Sequence, residues 1–320
     1  MTPFSAMRGV TNPHLQTLLP RFIRRTPLFD AIHQRLHTPD GDFIDLAWTE
    51  EPSDAQNKPL FILFHGLEGS FESPYANGLL HAAKQQGWLG VMMHFRGCSG
   101  ELNRHPHAYH SGETSDPRLF LQMIQQRFPE NKKVAVGISL GGNVLTRYLA
   151  QYHSEPILDA AAVVSAPLDL GACSERIQLG FSKVYQRYLL NSLKKSIHQK
   201  LTIMPDAFSF NKKEVSNIRS IYQFDDIITA PLNGFTDAED YYQRCSGIHI
   251  LDKITIPTLI VHAKDDPFMT QAVIPQQPLP TNITYCLTEH GGHVGFVAGT
   301  PTQPQFWLET ALNEWFIQQL

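Results

Sequence analysis

The chain has 320 residues, 42% of them hydrophobic and 18% charged, and a formal net charge of −4. This apolar content supports a sizeable core, and the length fits one large α/β domain that carries an insertion. The weak negative charge gives no overall attraction for nucleic acid, so we expect no nucleic-acid partner.

The cysteine pattern and the lack of long apolar runs indicate a cytoplasmic protein. Cys98, Cys173, Cys245 and Cys286 include no C-x-x-C pair, so the sequence predicts neither a zinc ribbon nor a redox pair. So few cysteines in so long a chain do not indicate a disulfide framework. No apolar run approaches the ~20 residues of a transmembrane helix, and the first residues lack the apolar core of a signal peptide.

Residues 1–30 are predicted to form an N-terminal arm. Residues 14–23 are weakly helical and apolar, and Arg24 and Arg25 follow them. The pattern favours a helix packed on the main domain. The alternative is a peripheral contact with a membrane, which usually needs a longer amphipathic face with more basic residues.

Residues 31–169 and 251–320 are predicted to form the core domain. It begins with two strand candidates, ending at 38 and spanning 43–48, and a polar loop at 51–59. From residue 60 to 165, apolar runs typical of buried strands alternate with helical patterns: strands at 60–64, 88–95, 134–138 and 160–166, and helices at 74–86, 114–128 and 143–150. This alternation predicts an α/β fold with a mostly parallel central sheet flanked by helices.

A glycine-rich loop, HGLEGS at 65–70, follows the first of these buried strands. Such a loop can bring backbone N–H groups to an active site, and we assign one oxyanion donor to the N–H of Leu67. A glycine turn with His65 as a structural hydrogen-bonding residue is an equally good interpretation of this segment alone.

The next loops also contain residue types that carry chemistry. Cys98 is interpreted as structural, because no helix or base is placed to lower the pKa of its thiol. His105, His107 and His110 have no carboxylate or cysteine at a familiar metal-site spacing, so we predict a polar surface loop and no metal site.

The segment 137–141, GISLG, matches the G-x-S-x-G pattern between a predicted strand and a predicted helix. In that setting the pattern predicts a nucleophile elbow, a sharp turn that projects the hydroxyl of Ser139 out of the sheet. The N–H of Leu140 opens the helix and is the other candidate oxyanion donor. The bare pattern is weak evidence, because glycine and serine are common residues.

Residues 170–250 are predicted to form a helical cap insertion, because they contain no convincing buried strand. Helices are predicted at 182–195 and 211–218, with loops at 224–226 and 231–235. The aromatic side chains of this region either belong to the core or line an apolar acyl pocket over the active site.

Strands are predicted again at 257–262 and 283–287, before a closing amphipathic helix at 305–318. The loop after the first strand contains Asp265 and Asp266, and the loop after the second contains His290 and His293. Active sites of parallel sheets gather at such loops.

A catalytic serine needs a base that takes its proton, and the base needs an anion that fixes its tautomer. The chain supplies these groups in the order of this fold, serine, acid, histidine. We choose Asp266 as the acid because the loop has begun to turn back there, whereas Asp265 is predicted to cap the turn. We choose His293 over His290 because the glycines around it leave room for a substrate.

Seven motifs together resemble the YheT-like family of α/β-hydrolase-fold esterases: HGLEGS, HFRGCSGE-x-NR, YHSGET, GISLGGN, FDD-x-ITAPLNGF-x-DAEDYY, HAKDDPF and EHGGHVGF. The resemblance covers nearly the whole chain. It implies an α/β-hydrolase fold with a Ser-Asp-His triad, and the family's nucleophile, acid and base positions match Ser139, Asp266 and His293. Relatives of this family include carboxylesterases and enzymes that move medium-chain acyl groups to alcohols.

The motifs and the resemblance predict a serine carboxylesterase that hydrolyses short- to medium-chain acyl esters, with a small-molecule ester as its partner. This chemistry needs no metal and no organic cofactor. Two alternatives stay open: transfer of the acyl group to an alcohol, and a catalytically idle hydrolase fold that serves as a binding module.

Overall fold

The computed structural model describes residues 1–54 and 57–320. Two residues of the predicted polar loop at 51–59, Ala55 and Gln56, lie outside the described residues. Pro52–Asp54, just before them, forms a 3₁₀ turn. In the described residues the strands are β1 (Ile32–His37), β2 (Phe43–Trp48), β3 (Leu60–Phe64), β4 (Leu89–His94), β5 (Lys133–Ile138), β6 (Ala160–Val164), β7 (Thr258–Ala263), β8 (Ile283–Thr288), β9 (Val297–Thr300) and β10 (Gln303–Phe306).

Eight of these strands form one sheet in the order β1-β2-β4-β3-β5-β6-β7-β8. The pairs from β4 through β8 are parallel, and only the β1–β2 and β2–β4 pairs are antiparallel. This confirms the predicted mostly parallel sheet. The central strands are buried on both faces, which explains why their sequences are continuous apolar runs such as LFILF in β3.

The helices in the described residues pack on the sheet or follow β6 as a group: α1 (Pro13–Ile23), α2 (Pro74–Gln85), α3 (Ser115–Arg127), α4 (Leu140–Gln151), α5 (Leu170–Arg176), α6 (Ser182–Ile203), α7 (Lys212–Asn217), α8 (Ile221–Phe224), α9 (Ala230–Leu232), α10 (Ala238–Cys245) and α11 (Trp307–Ile317). Apolar side chains of α3 and α4 fill the core on one face of the sheet. Those of α2 and α11 fill the core on the other face. The result is a three-layer α/β/α sandwich.

Residues 170–250, called here the helical segment, contain α5 to α10 and no strand. The cap domain assigned to these residues, like the arm at 1–30, stays a prediction. Three of the element bounds predicted within this segment are wrong. α6 continues to Ile203, because Ile197 and Leu201 extend its buried stripe beyond the predicted end at 195. The residues 224–226, predicted as a loop, are helical, because a π-helix at Asp225–Thr229 joins α8 to α9.

The predicted loop at 231–235 is also partly helical, since α9 ends only at Leu232. At the end of the chain, the predicted helix at 305–318 begins two residues later than expected. The residues before it form β10, which pairs with β9 as an antiparallel hairpin from Gln303 opposite Thr300 to Phe306 opposite Val297. In the described parts of the chain, no helix is both long enough and apolar enough to cross a membrane.

Candidate active site

Ser139 lies at the turn between β5 and α4, with φ 51° and ψ −121°. A positive φ is strained for a residue with a Cβ, and here it turns the hydroxyl out of the sheet. The flanking glycines allow the turn to be this tight. A Cβ on Gly137 would lie 2.5 Å from the carbonyl oxygen of Gly141, and a Cβ on Gly141 would collide with the carbonyl oxygens of Phe64 and His65.

His293 reaches Ser139 from the loop after β8. Its Nε2 lies 3.0 Å from Ser139 Oγ, and its backbone N–H donates to Thr17 Oγ1 at 2.9 Å. The ring of Phe268 stacks on the imidazole at a centroid distance of 4.0 Å. The backbone bond and the stacked ring hold the imidazole against the serine hydroxyl.

Asp266 completes the chain of hydrogen bonds. Its Oδ2 lies 2.9 Å from His293 Nδ1, and its Oδ1 accepts the N–H of Phe268 at 2.8 Å. The side chain of Asp266 is fully buried. A carboxylate held by a backbone N–H in this way keeps its orientation, so it fixes the Nδ1–H tautomer of His293 and leaves Nε2 free to accept a proton.

The two rejected candidates pair with each other at the surface. His290 Nδ1 lies 3.3 Å from Asp265 Oδ2, and Asp265 Oδ1 accepts the N–H of Gly292 at 2.9 Å. Asp265 therefore caps a turn in the histidine loop. The structure brings Ser139, Asp266 and His293 into one hydrogen-bonded chain and leaves the Asp265–His290 pair outside it.

The loop after β3 reaches Ser139 because Phe64 pairs with Gly137 in the parallel β3–β5 ladder. Within this loop, Gly66 N–H donates to Tyr75 Oη at 2.8 Å and Glu68 N–H donates to Tyr109 Oη at 2.7 Å. The N–H of Leu67, between them, and the N–H of Leu140 donate to no acceptor in the described residues. Leu67 and Leu140 line the same cavity as Ser139, and each has an unengaged N–H group.

His65 is a structural residue, as one of the two sequence interpretations proposed. Its Nε2 accepts the N–H of Phe95 at 3.0 Å and its Nδ1 donates to the carbonyl of Gly66 at 2.7 Å. Burial lowers the pKa of this imidazole to about 3, so the ring stays neutral. It anchors the glycine-rich loop from within the core.

The other cysteine and histidine side chains of these loops also lie outside the hydrogen-bonded chain of Ser139, His293 and Asp266. Burial raises the pKa of the Cys98 thiol well above its usual value, which opposes formation of a thiolate. His105 contacts the Asp40 carbonyl at 2.8 Å, and His107 contacts the Arg96 guanidinium at 3.2 Å. Across residues 1–54 and 57–320, no three His, Cys, Asp or Glu side chains are grouped so that they could hold a metal ion.

A cavity of about 350 Å³ adjoins Ser139 and His293. Its walls come from both the core and the helical segment, and most are apolar, among them Leu170, Ile177, Leu189, Leu193, Ile197, Phe224, Ile228, Leu232, Phe268 and Met269. A pocket of this size and lining can hold an acyl chain next to the serine.

Three polar residues near the cavity, one buried and two partly buried, were given no role by the sequence patterns. Asn143 in α4 donates from Nδ2 to the carbonyls of Ser111 and Cys245 at 2.9 and 2.8 Å, and its Oδ1 accepts the N–H of Gly247 at 2.9 Å. Its only signal in the sequence is its place in GISLGGN.

Glu68 is the second of these residues. Its carboxylate accepts from Tyr109 Oη at 3.0 Å and from Ser196 Oγ of α6 at 3.2 Å, and burial raises its pKa. The third is Asp225, whose carboxylate accepts from Tyr242 Oη at 2.7 Å and Thr229 Oγ1 at 2.8 Å. Burial raises the pKa of Asp225 to about 6.

Comparison with known proteins identifies the family. A family model described as alpha/beta hydrolase fold matches residues 59–300. The chain is 53% identical over 318 residues to the Escherichia coli (strain K12) protein named "Putative esterase YheT", covering 99% of this chain and 94% of that protein. It is 30% identical over 292 residues to Phospholipase ABHD3 of Mus musculus, covering 89% of this chain and 71% of that protein.

Among solved structures, the esterase Pf2001 of Pyrococcus furiosus shares the fold with a TM-score of 0.56 at 12% identity, over 98% of this chain and 94% of that chain. The family match spans most of the chain, and the 53% identity extends over both the core and the helical segment. This chain therefore belongs to the α/β-hydrolase fold family of hydrolases, in its YheT-like branch.

Proposed function

We propose that the protein is a serine carboxylesterase that hydrolyses short- to medium-chain acyl esters through an acyl-enzyme intermediate. The observation that carries the proposal is the hydrogen-bonded chain from Ser139 Oγ through His293 to Asp266, with distances of 3.0 and 2.9 Å. The apolar cavity beside this chain supports an acyl group as the bound part of the substrate.

In the first half of the reaction, Ser139 Oγ attacks the ester carbonyl carbon while His293 Nε2 takes the hydroxyl proton. The negative charge that develops on the carbonyl oxygen is stabilised by the N–H groups of Leu67 and Leu140, which have no other acceptor in the described residues. Asp266 stabilises the imidazolium. The proton then passes from His293 to the departing alcohol oxygen, and the acyl group stays on Ser139.

In the second half, water replaces the alcohol. His293 takes a proton from the water, and the hydroxide oxygen attacks the acyl carbonyl. The second tetrahedral intermediate then collapses: the bond from the acyl carbon to Ser139 Oγ breaks, His293 returns its proton to Oγ, and the carboxylic acid leaves. Every proton transfer runs through one imidazole, so the proposed mechanism needs no metal or organic cofactor.

The proposal predicts that Ser139→Ala abolishes ester hydrolysis. We expect kcat/KM for p-nitrophenyl butyrate and p-nitrophenyl octanoate to fall by about 10⁴-fold or more, because the nucleophile is removed. The measurement is release of p-nitrophenolate by the purified variant, with its fold checked by circular dichroism. Full turnover by Ser139→Ala would refute the proposed mechanism.

Acyl transfer to an alcohol would use the same residues, with an alcohol in place of water at the acyl-enzyme. The ratio of new ester to free acid, measured with added ethanol, distinguishes the two reactions: hydrolysis gives mainly acid.

All four cysteines are free. A reducing compartment would keep them so, which supports the cytoplasmic location that we propose.

A further inference from the structure

The N-terminal helix α1 buries a polar side chain and exposes several apolar ones. Its one buried residue is Gln16, whose side chain donates to the carbonyls of Val10 and Val297 and accepts the N–H of Val297. Leu15, Leu18, Leu19 and Phe22 follow the i, i+3, i+4, i+7 spacing of an apolar helix face. Yet Leu15 is 50% exposed and Phe22 is 63% exposed. Part of the apolar face of α1, at Leu15 and Phe22, is therefore exposed to solvent, whereas Leu18 and Leu19 are partly buried.

The first turns of α6 present a similar face beside α1. Phe181, Val184 and Tyr188 recur at helical spacing and are each more than half exposed, at 51%, 55% and 52%. The two helices touch: the ring of His14 lies 4.4 Å from that of Phe181, and Arg21 Nη2 donates to Tyr188 Oη at 2.7 Å.

We call these exposed side chains the mouth surface: Leu15, Phe22, Leu179, Phe181, Val184 and Tyr188. They account for six of the thirteen large hydrophobic side chains that are exposed in the described residues. Such side chains are usually scattered over a protein surface, and their concentration on one patch is typical of an interaction site.

The stretches that carry the mouth surface are rich in basic residues, although the exposed Glu175 directly precedes the second of them. The stretches 12–25 and 176–195, which contain both exposed faces, include no Asp or Glu, although the chain as a whole has a net charge of −4. Arg24 is neutralised by an ion pair with Glu309. The other basic residues of these stretches are Arg21, Arg25, Arg176, Lys183, Arg187, Lys194 and Lys195.

The same two helices border the active-site cavity. Leu18 and Pro20 of α1 and Tyr185 and Leu189 of α6 line it. The ring of Tyr185 lies 5.0 Å from that of Phe268, which in turn stacks on His293. An apolar chain that enters between α1 and α6 would therefore be led toward the catalytic histidine.

We propose that the mouth surface docks onto an anionic lipid bilayer and that the ester substrate enters the cavity from that bilayer. Two adjacent helices with exposed aromatic and aliphatic side chains, rimmed by Lys and Arg, match the chemistry of the interface between headgroups and acyl chains. A second copy of the chain fits less well, because a two-fold contact through this patch would set cations against cations. Docking onto the bilayer does not depend on the proposed esterase activity. Entry of the ester substrate from the bilayer does rest on that proposed activity.

The test of docking is flotation with vesicles of phosphatidylcholine alone or of phosphatidylcholine with phosphatidylglycerol. We expect the wild type and Ser139→Ala to bind the anionic vesicles equally, with binding weakened by salt. The double variant Phe22→Ser/Val184→Ser should bind about tenfold or more weakly, because two apolar groups no longer enter the bilayer.

The matched control is Ile203→Ser at the far end of α6. Ile203 is 67% exposed, and it lies about 22 Å along the helix axis from Tyr188. This variant should bind vesicles like the wild type. Failure of the wild type to bind anionic vesicles would overturn docking. Docking would also be overturned if light scattering showed a dimer for the wild type and a monomer for the double variant.

A second readout tests entry of the ester from the bilayer. The double variant should hydrolyse soluble p-nitrophenyl butyrate like the wild type, because neither Phe22 nor Val184 lines the cavity. Its turnover of an ester embedded in anionic vesicles should fall by about tenfold, in line with its weaker binding. Equal turnover of the embedded ester by both proteins would refute entry from the bilayer. Ser139→Ala should lose all activity and still bind vesicles. The test of bilayer docking is therefore separate from the test of the catalytic mechanism.

Discussion

The sheet core and the helical segment are built on different principles. In the core, strands buried on both faces bring loops distant in sequence to one edge, and every member of the hydrogen-bonded chain Ser139, His293 and Asp266 lies on such a loop. The helical segment adds walls to the cavity but none of these three groups. In the proposed mechanism the core therefore supplies the reacting groups, and the helical segment contributes walls of the cavity beside them.

The two regions are also joined differently. Within the core, strand ladders and large apolar clusters provide many redundant contacts. Across the boundary, the apolar cluster of the core includes Cys173 and contacts Ile248 and Ile250. Buried polar side chains add individual bonds: Asn143 binds Cys245 and Gly247, and Ser182 Oγ donates to the Pro267 carbonyl at 2.7 Å. Such bonds are sensitive to single substitutions, because each buried partner left unpaired costs free energy.

The largest expected effect on kcat distinguishes Asp266 from Asp265, two neighbouring carboxylates in one loop of the core. Asp266→Asn should lower kcat by about 10⁴-fold, because the amide can donate to His293 and favours the wrong tautomer. Asp265→Asn should change kcat by less than about threefold, because this side chain caps a turn and pairs with His290 but contacts neither Ser139 nor the His293 side chain. Initial rates with p-nitrophenyl butyrate measure both. Comparable losses in the two variants would show that our choice of acid is wrong.

The next effect tests the boundary between the regions. Asn143→Ala leaves the N–H of Gly247 and the carbonyls of Ser111 and Cys245 without their partner. We expect the free energy of unfolding to fall by about 2–4 kcal/mol. Urea denaturation followed by fluorescence measures this loss.

The matched control is Asn131→Ala, which removes one partly buried bond to the Lys58 carbonyl. It should cost less than about 1.5 kcal/mol. If the two alanine variants were equally stable, Asn143 would not be the boundary contact that we describe.

A smaller effect concerns Lys200 of α6, whose Nζ donates to the carbonyls of His105, Pro106 and His107 at 2.9, 3.2 and 3.0 Å. Burial lowers its pKa from 10.5 to about 8. Between these values the unfolded chain binds the proton and the folded chain does not, so this lysine makes stability rise with pH from about 8 to 10.5.

Lys200→Met should remove that rise and destabilise the protein by about 1–3 kcal/mol, because three carbonyls lose a donor. Unfolding free energies at several pH values between 7 and 10 test both expectations. Lys195→Met, on the exposed side of the same helix, serves as control and should match the wild type. An unchanged pH slope in Lys200→Met would contradict the assignment.

The sequence predicted the core well because its signals are local. A strand buried on both faces is a continuous apolar run, so β3 is predicted without error, and GISLG marks its own strand–turn–helix setting. The order of Ser139, Asp266 and His293 along the chain is also visible. Their catalytic roles, and those of Leu67 and Leu140, stay predictions until activity is measured.

The remaining features depend on contacts between distant residues, which no local pattern reveals. Asn143 binds residues 32 to 104 positions away along the chain. The π-helix at Asp225–Thr229 has no periodic signature of its own, and FDD was therefore predicted as a loop. The strand β10 contains a proline and exposed polar residues, so its pairing with β9 could be seen only in the structure.

The central claim is that the core activates one serine. Labelling with a fluorophosphonate probe, followed by mass spectrometry of the digested protein, tests it most directly. We expect a single stoichiometric adduct on Ser139, lost in Ser139→Ala and strongly slowed in His293→Ala. An adduct on another serine, or no adduct in a preparation that hydrolyses esters, would contradict the account.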